Sequence, residues 1–167
     1  MKFLPSENII YKSNLSENKI LERLSLSVEN ETSGIFDFGN KVYSKSYLGT
    51  ITGNRFKMQR AINYGNSFLP NITGEIKNEN DGTRISVLFR LSGFVVTFLK
   101  IWSFGVIICG LALLYISITQ KLSLFLFTIP LMLIFPILLT FVFFNPESKR
   151  SKSDLKEIFS AEIISEE

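Results

Sequence analysis

At 167 residues, with 18 Lys and Arg against 15 Asp and Glu and no histidine, the chain is near charge balance and lacks the side chain that most often serves as general base or metal ligand. The excess of positive charge ahead of Phe94, 12 basic residues against 9 acidic, is spread out rather than gathered on one face, which argues against a nucleic-acid partner. The single Cys109 excludes an internal disulfide framework, and its place inside an apolar run reads as inert packing rather than a nucleophile.

The opening "MKFLPSENII" has no apolar core of the kind a signal peptide needs. The next stretch, "NLSENKILERLSLSVE", puts Ile20, Leu21, Leu24 and Val28 on one helical face. Asn14 followed by Glu17 has the spacing of a capping box, so a helix is expected over about residues 15–28. Four short segments follow: "SYLGTI", "NRFKMQRAI", "NITGEIK" and "TRISVLFRL". They are rich in β-branched and aromatic residues, are separated by Gly, Asn and Asp, and read as strands of a small antiparallel sheet. Phe56, Met58, Arg60 and Ile62 alternate with Lys57, Gln59 and Ala61, so Arg60 intrudes on an apolar side. Gly53-Asn54 marks one hairpin turn, and Asp81-Gly82 marks another with a loop of several residues. Asp37 and Asp81 read as turn residues rather than as a carboxylate pair.

Residues 62–76, "INYGNSFLPNITGEI", admit two readings. In the first, Gly65 and Asn66 supply the positive φ of a sharp reversal, Phe68 and Leu69 form an apolar plug, Pro70 opens the next strand, and Gly74 marks a bulge or a close contact. In the second, Arg60, Asn63, Tyr64, Asn66 and Ser67 surround an aromatic with hydrogen-bonding groups. That cluster is a candidate binding surface for a headgroup phosphate or a partner's backbone. Ser67 and Tyr64 have no companion base, so the expectation is a non-enzymatic protein with no catalytic residues, no cofactor and no metal site. The sequon "NIT" at Asn71 is discounted because the domain is expected in the cytoplasm.

From Ile101 to Thr119 and from Leu122 to Phe144 the chain carries no charge, and each run is long enough to span a hydrocarbon core of about 30 Å. A transmembrane hairpin is expected within 94–144, with helices at about 98–119 and 122–144 and only "QK" between them. Arg84, Arg90 and Lys100 precede it and Lys149, Arg150, Lys152 and Lys156 follow, against Lys121 alone in the connection. This bias predicts a multi-pass protein of the cytoplasmic membrane with both termini in the cytoplasm. Lys100 and Trp102 are expected at the membrane interface, the lysine snorkelling to the headgroups. Gly105, Cys109 and Ala112 gather small side chains on one face, expected to pack against the second helix, with a homo-oligomer seam as the alternative. Pro130 and Pro136 are expected to kink the second helix, and the absence of acidic or amide side chains from Ile101 to Phe144, apart from Gln120 in the connection, argues against a channel or transporter.

The pattern of Asn66, Ser67, Phe68, Leu69, Pro70, Ile72, Gly74 and Ile76, ahead of a strand hairpin and two apolar helices, resembles a group of uncharacterised small bacterial two-helix membrane proteins. In these a stretch of the form NSFLP-x-I-x-G-x-I recurs. The resemblance runs from Tyr47 into "FNPESK" and implies a bacterial membrane protein without an assigned activity. In the tail, Leu155, Ile158, Phe159 and Ile163 form an apolar stripe on a helix that Ser153 can cap. The expected architecture is therefore α+β. An antiparallel sheet with an N-terminal helix (1–93) is interrupted by the transmembrane hairpin (94–144) and completed by a C-terminal amphipathic helix (145–167) docked on the sheet. The expected function is a membrane-anchored module that presents its cytoplasmic domain to a protein partner. The alternative is a lipid-binding or lipid-sensing domain at the cytoplasmic leaflet.

Overall fold

A computed structural model describes residues 4–30, 43–120 and 128–166. Asp37, Lys121 and the start of the second apolar run lie outside the described residues. In chain order the elements are β1 (Ser6–Ser13), α1 (Glu17–Ser27), β2 (Val28–Asn30), β3 (Tyr47–Thr52), β4 (Arg55–Arg60), β5 (Asn71–Glu79), β6 (Gly82–Arg90), α2 (Gly93–Gln120), α3 (Thr128–Ile158) and β7 (Ala161–Glu166). The architecture is α+β, with a seven-stranded mixed sheet and three helices, two of them long and apolar.

Strict alternation makes β3 to β6 a four-stranded antiparallel meander, with Phe56, Met58, Ile72, Ile76, Ile85, Val87 and Phe89 buried on one face. Two strands unforeseen in the sequence extend it at one end, giving the order β2-β3-β4-β5-β6-β1-β7. β1 escaped notice because the adjacent Ile9 and Ile10 blur its alternation; its buried face is Ile9, Tyr11 and the hydroxyl-bearing Ser13. At the far edge β2 pairs with β3 in parallel, so the sheet is not purely antiparallel.

The β3–β4 turn has Gly53 at φ +57°. Asn54 ties that turn to β5, its backbone oxygen accepting from the Ile76 N–H at 2.8 Å and its side-chain amide donating to the Ile76 carbonyl at 3.0 Å. Between β5 and β6 Glu79 pairs directly with Gly82, so Asn80 and Asp81 alone make a tight turn where a longer loop was expected. Gly74 sits in unbroken register opposite Phe56, which excludes a bulge. A Cβ there would lie 2.1 Å from the Phe56 ring, so the glycine makes room for that ring over the sheet.

Helix α1 lays Ile20 and Leu24 on the buried face. Its N-cap is Ser16, without a side-chain cap bond, and not Asn14. The capping box fails because the Ser13 hydroxyl, accepting from the Leu15 N–H at 3.1 Å, shapes the entry. Helix α3 then covers the rest of this face. It runs through Pro146 without interruption, so no separate tail helix starts at Ser153, and Phe144, Glu147, Ser148, Ser151 and Leu155 form its buried stripe. Ser160, at φ +44°, ends the turn, and the chain reverses so that Ala161–Glu166 joins the sheet beside β1. Ile163 thus belongs to an edge strand rather than to a helical stripe. Phe159 fills the core, edge-on to Tyr11 with ring centroids 5.6 Å apart and 6.1 Å from Phe56.

Helices α2 and α3 pack antiparallel, and most of their apolar side chains point outward. The contact between them is not the small-residue face. Gly105 has nothing within 4 Å of a notional Cβ, Cys109 and Ala112 are exposed, and Val106 and Gly110 meet the other helix, the latter against Ile129. The reason is phase: residues 106 and 110 are a turn apart on a different stripe from 105, 109 and 112. Pro130 is the third described residue of α3, and the residue whose carbonyl would face its missing N–H lies outside the described residues. Pro136 lies inside the helix and deprives the Met132 carbonyl of its donor; the Trp102 indole N–H of α2 donates to that carbonyl at 3.2 Å instead.

Candidate functional site

Arg60 ends β4 on the side of the sheet that α3 covers, and its side chain is three-quarters buried. A guanidinium in such a place needs anions. Two carboxylates of α3, seven residues apart and so on one helical face, supply them: Glu147 at 3.4 Å and Asp154 at 3.6 Å. Glu147 is itself almost fully buried, with 5% of its side chain exposed, and receives Arg150 at 3.3 Å and the Tyr64 hydroxyl at 2.5 Å. The hydrogen bond to Glu147, then burial, raise the pKa of Tyr64 above its ordinary value.

The loop 61–70 is folded onto the same helix. The Asn66 side-chain amide donates to the Phe143 carbonyl at 3.3 Å, while its side-chain oxygen accepts from the Phe68 N–H at 3.0 Å, closing a local turn. Phe68 stacks on Phe143 with centroids 6.0 Å apart and planes 13° from parallel. Leu69 and Pro70 are buried, and Gln59 donates to the Leu69 carbonyl at 3.4 Å. Gly65 is exposed and is not at positive φ; the reversal is made by the Asn66 side chain rather than by glycine.

Of the five residues singled out from the sequence, three are brought together on α3. Arg60 and Tyr64 converge on Glu147, and Asn66 holds the backbone one turn before it. Asn63 and Ser67 are exposed and make no hydrogen bond among the described residues. The phosphate or partner backbone that the cluster was expected to hold has internal counterparts here, the Glu147 carboxylate and the Phe143 carbonyl. Nothing in the sequence pattern marks Glu147 and Asp154. A cation on the apolar side of a strand announces that an anion is needed but not where in the chain it stands.

A second polar cluster flanks the first. Lys152 reaches Glu7 at 2.6 Å and also pairs with Glu166, and the Ser148 hydroxyl donates to Glu7 at 2.9 Å. Burial opposes the lysine's charge, but hydrogen bonds to Glu166 and Glu7 outweigh it and hold its pKa above the ordinary value. The Tyr47 hydroxyl donates to Asp154 at 3.2 Å, and its pKa is raised by burial and by that carboxylate. Above this pair a cleft of about 530 Å³, open to solvent, is lined by Arg23, Leu26, Tyr47, Arg60, Asp154 and Glu157. Arg23 is bound to the Ser160 hydroxyl and Arg60 to the two carboxylates, so the cleft's guanidinium groups are already partnered. Among the described residues no group of three His, Cys, Asp or Glu side chains converges as a metal site.

Lys100 and Trp102, expected side by side at an interface, divide in role. Trp102, though 38% exposed, is bound to the Met132 carbonyl and stacked on Phe98 with centroids 6.2 Å apart, whereas Lys100 is exposed and without a partner among the described residues. Comparison with protein-family models, with curated proteins and with solved structures finds no match to the chain.

Proposed function

We propose that the chain is a membrane-anchored, non-enzymatic module whose α2–α3 pair crosses the bilayer and whose sheet domain, with both termini, lies on the cytoplasmic side and is presented to a protein partner. The crossing is supported by side chains that are apolar and outward. Only 22% and 11% of the most apolar windows of α2 and α3 are buried, whereas the core helix of a soluble protein would be mostly buried. The orientation rests on the lysines and arginines that flank the pair on the domain side.

The observation that carries the presenting role is the continuity of α3. One helix leaves the apolar segment at Phe144 and, without a break, becomes the cover of the sheet, while the 60–68 loop grips it at the junction. A domain joined in this way cannot swivel on a linker; its open sheet face is held at one height and azimuth. That suits a surface meant to meet another protein, and the outward Gly105, Cys109 and Ala112 leave room for a neighbouring helix, a second copy included. Purification of the full chain in mild detergent is expected to retain a stoichiometric protein. Repeated isolation of the chain alone would overturn the reading, as would cleavage of either end by protease added outside intact cells.

Lipid binding at the same leaflet is the second reading, and the observation favouring it has moved. Arg60 is occupied by Glu147 and Asp154. Three exposed cations without an internal partner among the described residues, Arg90, Lys100 and Lys149, stand elsewhere, near the apolar end of the domain.

A further inference from the structure

The described lysines and arginines fall into two groups. Most are tied to carboxylates, backbone carbonyls or hydroxyls: Lys12 to Asp81, Lys45 to the carbonyls of Ser25 in α1 and Val28 just beyond it, Arg55 and Lys77 to Glu75, Arg60 to Glu147, Lys152 to Glu7. Lys57, Arg90, Lys100, Lys149 and Lys156 have no hydrogen bond or ion pair among the described residues, and all five are exposed. Three of these stand where the domain gives way to the apolar helices. Arg90 ends β6, three residues before α2 starts at Gly93. Lys149 lies five residues beyond Phe144, about 8 Å along α3. Lys100 lies seven residues into α2, about 10 Å from Gly93, among the exposed Phe98, Ile101 and Phe104.

The carboxylates at this end of the sheet offer these cations nothing. Glu7 and Glu166 are consumed by Lys152, and Glu147 by Arg60 and Arg150. No acidic side chain occurs on α2 or on α3 before Glu147. The junction therefore carries unbalanced positive charge at Arg90, Lys100 and Lys149, and Lys100 has apolar neighbours and no counter-ion among the described residues. An ammonium in that setting draws its head toward the nearest anions outside the protein. Given the membrane crossing proposed above, on which this inference rests, those anions are lipid phosphates.

We infer that Arg90, Lys100 and Lys149 form a contact surface for anionic phospholipid headgroups, favouring lipids of net negative charge over zwitterionic ones. A zwitterionic headgroup brings its own ammonium to each phosphate and cancels most of the attraction, whereas an anionic headgroup does not. Arg60 takes no part.

Trp102 is the one tryptophan of the chain and lies about 3 Å along α2 from Lys100, at nearly the same depth, so its fluorescence reports which lipids surround the helix pair at that level. The full chain is reconstituted in vesicles of phosphatidylcholine and phosphatidylglycerol, with acyl chains brominated on one lipid at a time. Brominated phosphatidylglycerol is expected to quench Trp102 in preference to brominated phosphatidylcholine, with a relative affinity of about fivefold or more for the anionic lipid. The combined Arg90→Gln, Lys100→Gln and Lys149→Gln variant is expected to lose that preference. Lys156→Gln, an unpaired cation about 18 Å along α3 from Phe144, is expected to keep it. Equal quenching by both lipids, or a preference that survives the triple substitution, overturns the headgroup surface and leaves the membrane crossing intact. No quenching by either lipid overturns both.

Discussion

The two halves of α3 invert the usual relation between polarity and burial. From Ile129 to Phe143 the helix is apolar and mostly exposed; from Glu147 to Leu155 it is rich in charged and hydroxyl groups, and its sheet-facing side is buried. The polar half tolerates burial because nearly every group there meets a partner: Glu147 meets Arg60 and Tyr64, Ser148 and Lys152 meet Glu7, and Asp154 meets Tyr47. Among the buried side chains of this half, the Ser151 hydroxyl is without a hydrogen-bond partner among the described residues. The apolar half has no such network and few protein neighbours, so its stability depends on what surrounds it. One helix thus carries two kinds of surface. The boundary between them falls at Phe144, where the 60–68 loop holds on.

The largest effect is expected at the end of the buried half. Phe159→Ala removes a fully buried ring from between Tyr11 and Phe56 and is expected to cost about 3–5 kcal/mol, read as a lower midpoint of chemical denaturation followed by near-ultraviolet circular dichroism in mild detergent. Phe135→Ala, outward on the apolar half, is expected to stay within about 0.5 kcal/mol. Equal losses at both positions would erase the contrast between the halves.

Next is the ion pair at the boundary. Glu147→Gln leaves Arg60 with Asp154 alone and is expected to cost about 2 kcal/mol, since a three-quarters-buried cation loses its more buried partner. Arg60→Met together with Glu147→Leu is expected to regain most of that stability, because removing both charges removes the desolvation cost with them. A double variant as unstable as the single one would mean that Glu147 contributes through shape rather than charge.

Gly74→Ala drives a Cβ into the Phe56 ring and is expected to cost about 1–3 kcal/mol, while Gly65→Ala in the loop meets nothing within 4 Å and is expected to be neutral within about 0.5 kcal/mol. The reverse order, measured in the same denaturation assay, would move the structural weight of the "NSFLP" stretch from the strand to the turn.

The smallest effect sharpens the comparison through pH. Tyr11 and Tyr47 are buried with pKa values raised first by burial, and Lys152 is held above its ordinary value by Glu166 and Glu7. In the unfolded chain the tyrosines and the lysine lose protons near pH 10. The folded state retains those protons to higher pH, so stability is complete below that point and falls as pH rises through the folded-state values. Melting temperature is expected to decline above about pH 10 and to decline less steeply in Tyr11→Phe. A flat profile to pH 11 would mean that the polar half of α3 is more open to water than its burial implies.

Much of this molecule was legible in the sequence, wherever a pattern is local. Alternation in β3 to β6, the face of α1 carrying Ile20 and Leu24, and the two uncharged runs each repeat a short period that backbone geometry imposes. β1 and β7 were not legible, because adjacent isoleucines in each read equally as either period and the strands exist only by pairing with each other and with β6. The site divides in the same way. Arg60 on an apolar strand face declared that a buried anion was required, and Asn66 declared a turn. That the anion is Glu147, that the turn grips Phe143, and that Gly105, Cys109 and Ala112 face outward are products of docking between segments far apart in the chain.

By itself, then, the sequence determined which segments become the strands of the meander and which helices are long and apolar enough to cross a membrane, since both follow from periodicity and run length. The tertiary structure alone decided that the polar cluster of residues 60–68 turns inward to hold α3 and that the chain's first and last strands lie side by side. Spacing along a chain encodes which side a residue faces; it does not encode which distant residue will be there to meet it.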